Sequence, residues 1–255
     1  MKLLKYFFEF LFILCLFIIF KIVGRRLSNL ISSKIGEILG PLFRSKKLIE
    51  QNIKKTFPDL SDQKIKSIEK KMWSSYGMIL SDYVFLNSIR KKKSKELINV
   101  EGHHILRQIE KSSEPVVFVS GHFDNFELMA MYIEMSNINL AAVYRPLNNI
   151  FLNPLMENIR KKSICKNQIK KGIKGVKELL KYFKKGYSIA LMIDQRVSEG
   201  IRIKFFGHDA LTTTIPAQFV KKFNCKVVPV FIERDENSKF KIRFLEPMVF
   251  EKNDK

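Results

Sequence analysis

The segment Gly121–Glu127, GHFDNFE, holds the residue types of a general acid–base site. Histidine exchanges a proton near neutral pH, and a carboxylate beside it orients the ring, selects its tautomer and stabilises the imidazolium. Within one helix, His122 and Glu127 would lie about 140° apart and would not face each other. If His122 sits in a turn and a helix begins near Asp124, the Glu127 carboxylate can reach back to the ring. In the alternative interpretation, His122 is a strand-end histidine bonded to backbone, and Asp124 only caps the helix.

The surrounding residues predict the elements that position this segment. The run Val116–Ser120, VVFVS, predicts a buried strand, and functional residues of open α/β sheets follow the carboxyl ends of strands. Similar runs predict strands at Leu140–Tyr144, Tyr187–Ile193 and Lys226–Glu233. Helical periodicity lies between these runs, over residues 125–135, 151–162 and 174–184. The predicted fold class is α/β, with a mostly parallel mixed sheet flanked by helices.

The region before the first strand predicts helices. They are expected over residues 27–39, 44–57 and 61–85, with a weak point at Gly77 in the third. We therefore predict an anchor helix over 1–24 and a single domain over 25–255. That domain is expected to be helical over 25–100 and α/β over 101–255, and its last run, FKIRFLEPMVF, alternates like an edge or terminal strand.

The apolar run Tyr6–Phe20 is the basis for the anchor. It is short for a transmembrane helix, which needs about 20 residues, and it lacks the small-residue cleavage site of a signal peptide. More positive charge follows the run than precedes it, so a spanning helix would leave the body of the protein in the cytoplasm. Because Glu9 and Lys21 make a full span costly, a buried core helix and an in-plane helix are the alternatives.

Composition and charge exclude several classes of protein. The 255 residues include 46% hydrophobic residues, which excludes a disordered chain, and three distant cysteines, which exclude a disulfide scaffold. The net charge is +21, and residues 160–185 carry eleven basic residues and one acidic residue. Such a surface attracts nucleic acid, anionic lipid or an acidic carrier protein, or it is a solvated helix face. Because no nucleic-acid-binding motif is present, we expect a membrane surface or an acidic carrier and no nucleic acid.

Several motifs together resemble one family. HFDNFE matches the H-x-x-x-x-[DE] motif of glycerolipid-type acyltransferases, and GHFDNFEL resembles the form found in bacterial lipid A biosynthesis acyltransferases, the late lauroyl and myristoyl transferases. Arg160 follows Arg145 by fifteen residues, as in that family. Further motifs similar to the family follow in order: VYRPLNN at 143–149, MIDQ at 192–195, FFG at 205–207 and VVPVF at 227–231. The resemblance covers residues 27–247 together with the anchor.

The resemblance implies transfer of a fatty acyl group from acyl carrier protein to a hydroxyl of a lipid A precursor. His122 is implied as the general base, held by Glu127, and Arg145 and Arg160 as ligands of a phosphate on the glycolipid or on the carrier's phosphopantetheine. The residues implied to line the same cleft are Asn125, Asp194 and Gln195. No cofactor and no metal are expected. The domain is expected on the cytoplasmic face of the inner membrane, without the family's C-terminal helical segment after Lys255.

Other interpretations remain open at this stage. The acceptor could be a phospholipid, an aminolipid or a mannosylated inositol lipid. The chain could also be a basic, membrane-tethered binding protein without catalysis, or a metallohydrolase using His122, Asp124 and Asn125. Three of the site residues also have purely structural interpretations. Arg160 could lie on a solvated helix face, Asn125 could cap a helix, and Asp194 could cap a turn.

Overall fold

The computed structural model describes residues 1–250, except for the side chains of residues 92–95. Residues 251–255, the end of the predicted domain, lie outside the described residues. Contacts divide the chain into two compact units. The first contains residues 1–10, 86–201 and those from 211 onward, and the second contains residues 11–85 and 202–210. The anchor and the single domain predicted after it stay a prediction.

Helices precede the first strand, as the sequence predicts. In chain order they are α1 (Lys2–Val23), α2 (Arg25–Leu39), α3 (Lys46–Thr56), α4 (Asp62–Asp82), α5 (Leu86–Ser88) and α6 (Ser94–Leu97). A 3-10 turn over Gly40–Leu42 follows α2, and a π-helical turn over Ile89–Lys93 joins α5 to α6. Ser45 and Ser61 begin α3 and α4, because each hydroxyl accepts a hydrogen bond from a backbone N–H of the first turn.

Helix α1 is apolar along most of its length. Among the described residues, it is the one helix that by length and composition could cross a membrane. Its acidic residue, Glu9, has two polar partners in the first unit. Lys5 Nζ lies 3.8 Å from one carboxylate oxygen, and Asn149 Nδ2 donates to the other at 3.1 Å. These partners reduce the cost of placing a carboxylate in an apolar helix.

In the second unit, α2 and α4 pack with their backbones very close together. A side chain at Gly77 would collide with the carbonyl oxygen of Ser32, and one at Gly36 would collide with the carbonyl oxygen of Trp73. Hydroxyl pairs join the same faces, including Ser32 and Ser81 at 2.9 Å. Gly77, predicted as a weak point, is therefore a site of close helix approach.

The rest of the chain alternates strands and helices. The strands are β1 (Ile98–Glu101), β2 (Val117–Ser120), β3 (Leu140–Tyr144), β4 (Asn167–Lys170), β5 (Ser188–Met192), β6 (Ile201–Phe205), β7 (His208–Thr212), β8 (Val227–Arg234) and β9 (Phe240–Phe244). The helices are α7 (His103–Ser112), α8 (Glu127–Met135), α9 (Leu152–Ser163), α10 (Ile173–Lys184) and α11 (Ile215–Phe223).

Seven of these strands form one sheet in the order β1-β9-β8-β2-β5-β3-β4. Neighbouring strands are parallel except β8 and β9, which are antiparallel. The predicted mostly parallel mixed sheet flanked by helices is thus confirmed. Strand β9 lies between β1 and β8 and is the last strand of the described residues, so of the expected edge or terminal strand it is the terminal strand and not an edge strand.

The two faces of the sheet carry different helices. On one face, Val117, Ile189 and Leu191 pack with Leu179 and Phe183 of α10 and with α11. Because side chains alternate along a strand, Phe118, Ala142 and Ala190 point to the opposite face. Phe118 there contacts Phe244, which in turn contacts Tyr132 of α8. Helices α8 and α10 therefore cover opposite faces.

Candidate active site

His122 lies in the loop between β2 and α8, two residues after the strand ends. Glu127 opens α8, so the histidine is in the turn and the glutamate in the first turn of the helix, as predicted. The Phe126 ring packs edge-on against the imidazole, with ring centroids 4.6 Å apart. Gly121 leaves room for the neighbouring strand end, because a Cβ there would lie 3.3 Å from Asp194 Cγ.

The carboxylate that binds the ring of His122 is Asp194, which follows β5. His122 Nδ1 donates to Asp194 Oδ1 at 2.7 Å, and the backbone N–H of His122 donates to Oδ2 at 2.8 Å. Burial alone would raise the pKa of Asp194, but these hydrogen bonds outweigh it and hold the pKa below its usual range. We call His122 and Asp194 the rim pair.

The other ring nitrogen of His122 faces a neutral donor. Gln195 Nε2 lies 3.3 Å from His122 Nε2, and an amide NH2 can only donate. The tautomer with the proton on Nδ1 satisfies both contacts and leaves Nε2 unprotonated, with its lone pair accepting the Gln195 N–H. This is the form that a general base requires.

An ion pair fixes the loop that carries His122. Asp124 adopts a left-handed backbone conformation with φ 38°, which is uncommon outside glycine. Its carboxylate accepts hydrogen bonds from Arg234 Nε at 3.0 Å and from Arg234 NH2 at 2.9 Å, and from the backbone N–H of Asn125 at 2.6 Å. Arg234 ends β8, so the loop is held to the strand beside β2. Asp124 thus positions the loop through an ion pair, beyond the predicted helix cap.

Glu127 forms an ion pair with Arg160 of α9. Arg160 Nε donates to Glu127 Oε1 at 2.9 Å, and the two side chains are only 11% and 10% exposed. The guanidinium also lies 5.7 Å from the centre of the Tyr144 ring. We call Glu127 and Arg160 the wall pair. The role predicted for Glu127, holding His122, stays a prediction, and the carboxylate on Nδ1 is that of Asp194.

A cavity of about 490 Å³ opens beside both pairs. His122, Glu127, Arg145, Arg160 and Gln195 all line it. Asn125 is buried and is not among the lining residues, so its expected contact with substrate also stays a prediction. The sheet explains the position of the cavity. The chain leaves β3 toward α9 and β4, and leaves β5 toward α11 and β8, so these adjacent strands form a topological switch point, where α/β proteins bind ligands.

The family model described as bacterial lipid A biosynthesis acyltransferase matches residues 1–255, the whole chain. The protein belongs to this family. A search among curated proteins finds no match. The cavity places the side chain of His122 in one lining with apolar residues such as Met129 and Ile215.

The cavity of this acyltransferase also has a basic rim. Arg145 follows β3 and Lys171 follows the neighbouring β4 at the same level, because Tyr144 and Lys170 are register partners. Both line the cavity, and among the described residues neither side chain forms an ion pair. Arg160, in contrast, already has Glu127. Sequence reasoning missed Lys171, which follows a short and polar strand, NQIK, that no hydrophobic run announces.

Tyr144, which ends β3, is a second lining residue to which sequence reasoning gave no role. Its hydroxyl donates to Glu157 Oε1 at 2.6 Å. The YRP motif was the sequence signal that could have pointed to Tyr144.

In the described part of this acyltransferase, no group of three or more His, Cys, Asp or Glu side chains could hold a metal ion.

Proposed function

We propose that the protein transfers a fatty acyl group from an acyl carrier protein thioester to a hydroxyl of a lipid A precursor, with His122 as the general base. The observation that carries this proposal is the rim pair: Nδ1 is held by Asp194, while the unprotonated Nε2 belongs to a ring that lines the cavity and faces the Gln195 amide, which an acceptor hydroxyl would replace. A positioned base of this kind contributes about 10²–10⁴ in rate.

The proposed reaction is a single displacement. His122 Nε2 takes the proton of the acceptor hydroxyl as its oxygen attacks the thioester carbonyl carbon. A C–O bond forms, the C–S bond breaks, and the thiolate leaves with the proton returned by the imidazolium. Asp194 stabilises the positive ring meanwhile. Burial raises the pKa of the Cys165 thiol to about 12, so it is protonated at neutral pH and supports this path over an acyl-cysteine intermediate.

The rim cations support recognition of a phosphate. Arg145 and Lys171 line the cavity and form no ion pairs among the described residues. A phosphate of the glycolipid or of phosphopantetheine can therefore bind to both side chains. Arg160 enters the proposal as part of the wall, since Glu127 already neutralises it. Glu127 acts through Arg160 or, as the sequence predicts, through His122.

The charge of α10 supports an acidic acyl carrier as donor. Lys174, Lys177 and Lys181 are exposed along one helix that begins beside the rim residue Lys171, and among the described residues they form no ion pair. Acidic partners approach such surfaces faster at low salt. We further propose that α1 attaches the protein to the inner membrane with the cavity on the cytoplasmic side, where acyl carrier protein is found.

The test is an acyl-transfer assay in detergent with labelled acyl carrier protein thioester and a tetra-acylated lipid A precursor, beside His122→Ala. We expect a heavier lipid product that disappears in the variant. Phospholipid acceptors in parallel test the acceptor class, and a product only on those would overturn the lipid A assignment. Raising the salt concentration should lower kcat/KM for the carrier-bound donor, since charges are screened within about 10 Å at 0.1 M. Salt-independent kinetics would contradict docking through the lysines.

A further inference from the structure

The strands β3 and β5 separate before they end. Their register pairs run from Leu140 and Ser188 to Ala142 and Ala190, two residues short of the end of each strand. On the outer sides, β2 stays paired with β5 up to Met192, and β4 stays paired with β3 up to Tyr144. The sheet therefore opens a crevice between β3 and β5, and the last paired residues, both alanines, lie at its inner end.

The inner end of the crevice is apolar and small. Met129 and Ala130 of α8 line it on one face of the sheet, and Ile215 of α11 lines the cavity on the other. The register partners beyond the alanines are larger: Phe118 on β2 and Gln168 on β4. One N–H of the Gln168 amide donates to the Cys165 carbonyl. The two alanines are therefore the smallest residues at this level of the four strands.

We infer that the acyl chain of the donor lies in this crevice and that Ala142 and Ala190 set the longest chain the protein accepts. This inference rests on the proposed function and adds the acyl-binding subsite to it. The charged residues Arg145 and Lys171 lie at the outer rim. The inner end carries alanine, methionine and the neutral amide of Gln168, and this mostly apolar lining suits a hydrocarbon better than a sugar or a phosphate.

The depth of the crevice suits a chain of limited length. Ala190 lies two residues before Met192, whose register partner Ser120 lies two residues before His122. At about 3.3 Å per strand residue, the alanines lie on the order of 10 Å below the level of the reacting carbonyl. Enlarging either alanine should exclude the terminal methylenes of the best chain. Each excluded methylene should lower affinity about fourfold, the free energy of one buried methylene expressed as a ratio.

The experiment measures binding of even-numbered S-acyl pantetheine thioesters from octanoyl to palmitoyl. It measures transfer separately, from acyl carrier protein thioesters of the same chain lengths to a tetra-acylated lipid A precursor. The proteins are the wild type, Ala190→Leu, the milder Ala142→Val and the control Ala217→Leu. Ala217 is exposed on α11 and does not line the cavity, so the control adds the same side chain elsewhere. Thermal unfolding selects the variants that fold like the wild type.

We expect Ala190→Leu to weaken binding of the best wild-type chain at least about tenfold while a chain two carbons shorter binds nearly as before. Ala142→Val should shift the preference in the same direction by less, and Ala217→Leu should leave it unchanged. Equal weakening of every chain, or an unchanged preference in both cavity variants, would overturn the subsite. A shifted binding preference without transfer by any of the proteins would support the subsite and overturn the proposed function instead.

Discussion

The rim pair and the wall pair are both contacts between a basic side chain and a carboxylate at one cavity, but their surroundings differ. The Asp194 side chain is 41% exposed and lies in a loop. The side chains of Glu127 and Arg160 are only 10% and 11% exposed, and they join two helices. A contact at the rim can change its protonation and its partners during a reaction. A contact in the wall is fixed, and it shapes the cavity. The carboxylate supplied by the motif is in the wall, and the one on the histidine comes from another strand.

The largest effect should follow from removing the ring of the rim pair. We expect His122→Ala to lower transfer at least about a hundredfold, the low end for a lost general base. The fold and membrane binding should persist, because the ring is partly exposed and lies in the loop between β2 and α8. Acyl-transfer rates and thermal unfolding check this together. Wild-type activity in the variant would remove the histidine from the mechanism.

The wall pair should respond with both activity and stability. Glu127→Ala should also lower transfer at least about a hundredfold, and it should leave Arg160 buried without its carboxylate. Breaking a buried ion pair costs about 3 kcal/mol at the low end, or roughly 6–12 °C in Tm. Thermal unfolding beside transfer rates measures the two effects.

A double variant separates the two roles of Glu127. Replacing a buried ion pair by apolar side chains of similar volume is often neutral for stability. Glu127→Leu with Arg160→Met should therefore recover most of the lost Tm, and transfer should stay low. If Glu127 acts only through His122, Arg160→Met alone should leave the rate intact. If the transfer rate falls with Arg160→Met instead, Glu127 acts through its ion pair with Arg160.

Asp194→Asn tests the rim pair by removing the negative charge of its carboxylate. The amide has a single oxygen, so it can accept from His122 Nδ1 only by losing the hydrogen bond from the His122 backbone N–H. It also cannot stabilise the imidazolium, so transfer should fall about ten- to a hundredfold, less than when a fully buried carboxylate is lost. Because the pKa of Asp194 is held below its usual range, chiefly by His122 against the opposing effect of burial, the ionised carboxylate stabilises the fold above its unfolded pKa of about 3.9. That stability disappears as the pH falls through the folded pKa.

The pH dependence of unfolding supplies the measurement. The difference in Tm between the wild type and Asp194→Asn should be largest near neutral pH and should shrink under acidic conditions. Asp209→Asn is a suitable control, since Asp209 is exposed, pairs with Lys204, and neither residue lines the cavity. Parallel curves for wild type and Asp194→Asn across the acidic range would contradict the ionised rim pair.

The contrast between the two pairs also shows what the sequence could predict. VVFVS followed by GHFDNFE placed His122 at a strand end, because a hydrophobic run and a helix start are local patterns. The partnership with Asp194 depends on β5 lying beside β2, although 72 residues separate the two side chains. Strand order is a property of the whole sheet, so Asp194 was expected in the cleft but not on the ring.

Short polar strands could not be predicted from the sequence either. Strand β4, NQIK, and strand β1, INVE, lack a hydrophobic run, because one lies at each edge of the sheet. The sequence predicted no strands at the positions of β6 and β7. The turn between these strands, Phe206-Gly207, has positive φ at both residues, which matches the two-residue turns of hairpins. Missing β4 also hid Lys171, since only that strand brings the lysine level with Arg145.

The smallest predicted effect concerns Tyr144, which lies between the wall pair and Glu157. Burial, and then the Glu157 carboxylate, raise the pKa of Tyr144, so the hydroxyl stays protonated at working pH and donates to Glu157. Tyr144→Phe should lower the free energy of unfolding by about 1 kcal/mol and transfer by less than about threefold. Glu157 keeps Asn153 Nδ2 at 2.9 Å and Lys170 Nζ at 3.5 Å, and the ring remains under Arg160. Denaturant unfolding and kcat test this. A tenfold loss of kcat with unchanged stability would mean that the hydroxyl contacts the substrate, and the wall would then share the chemistry of the rim.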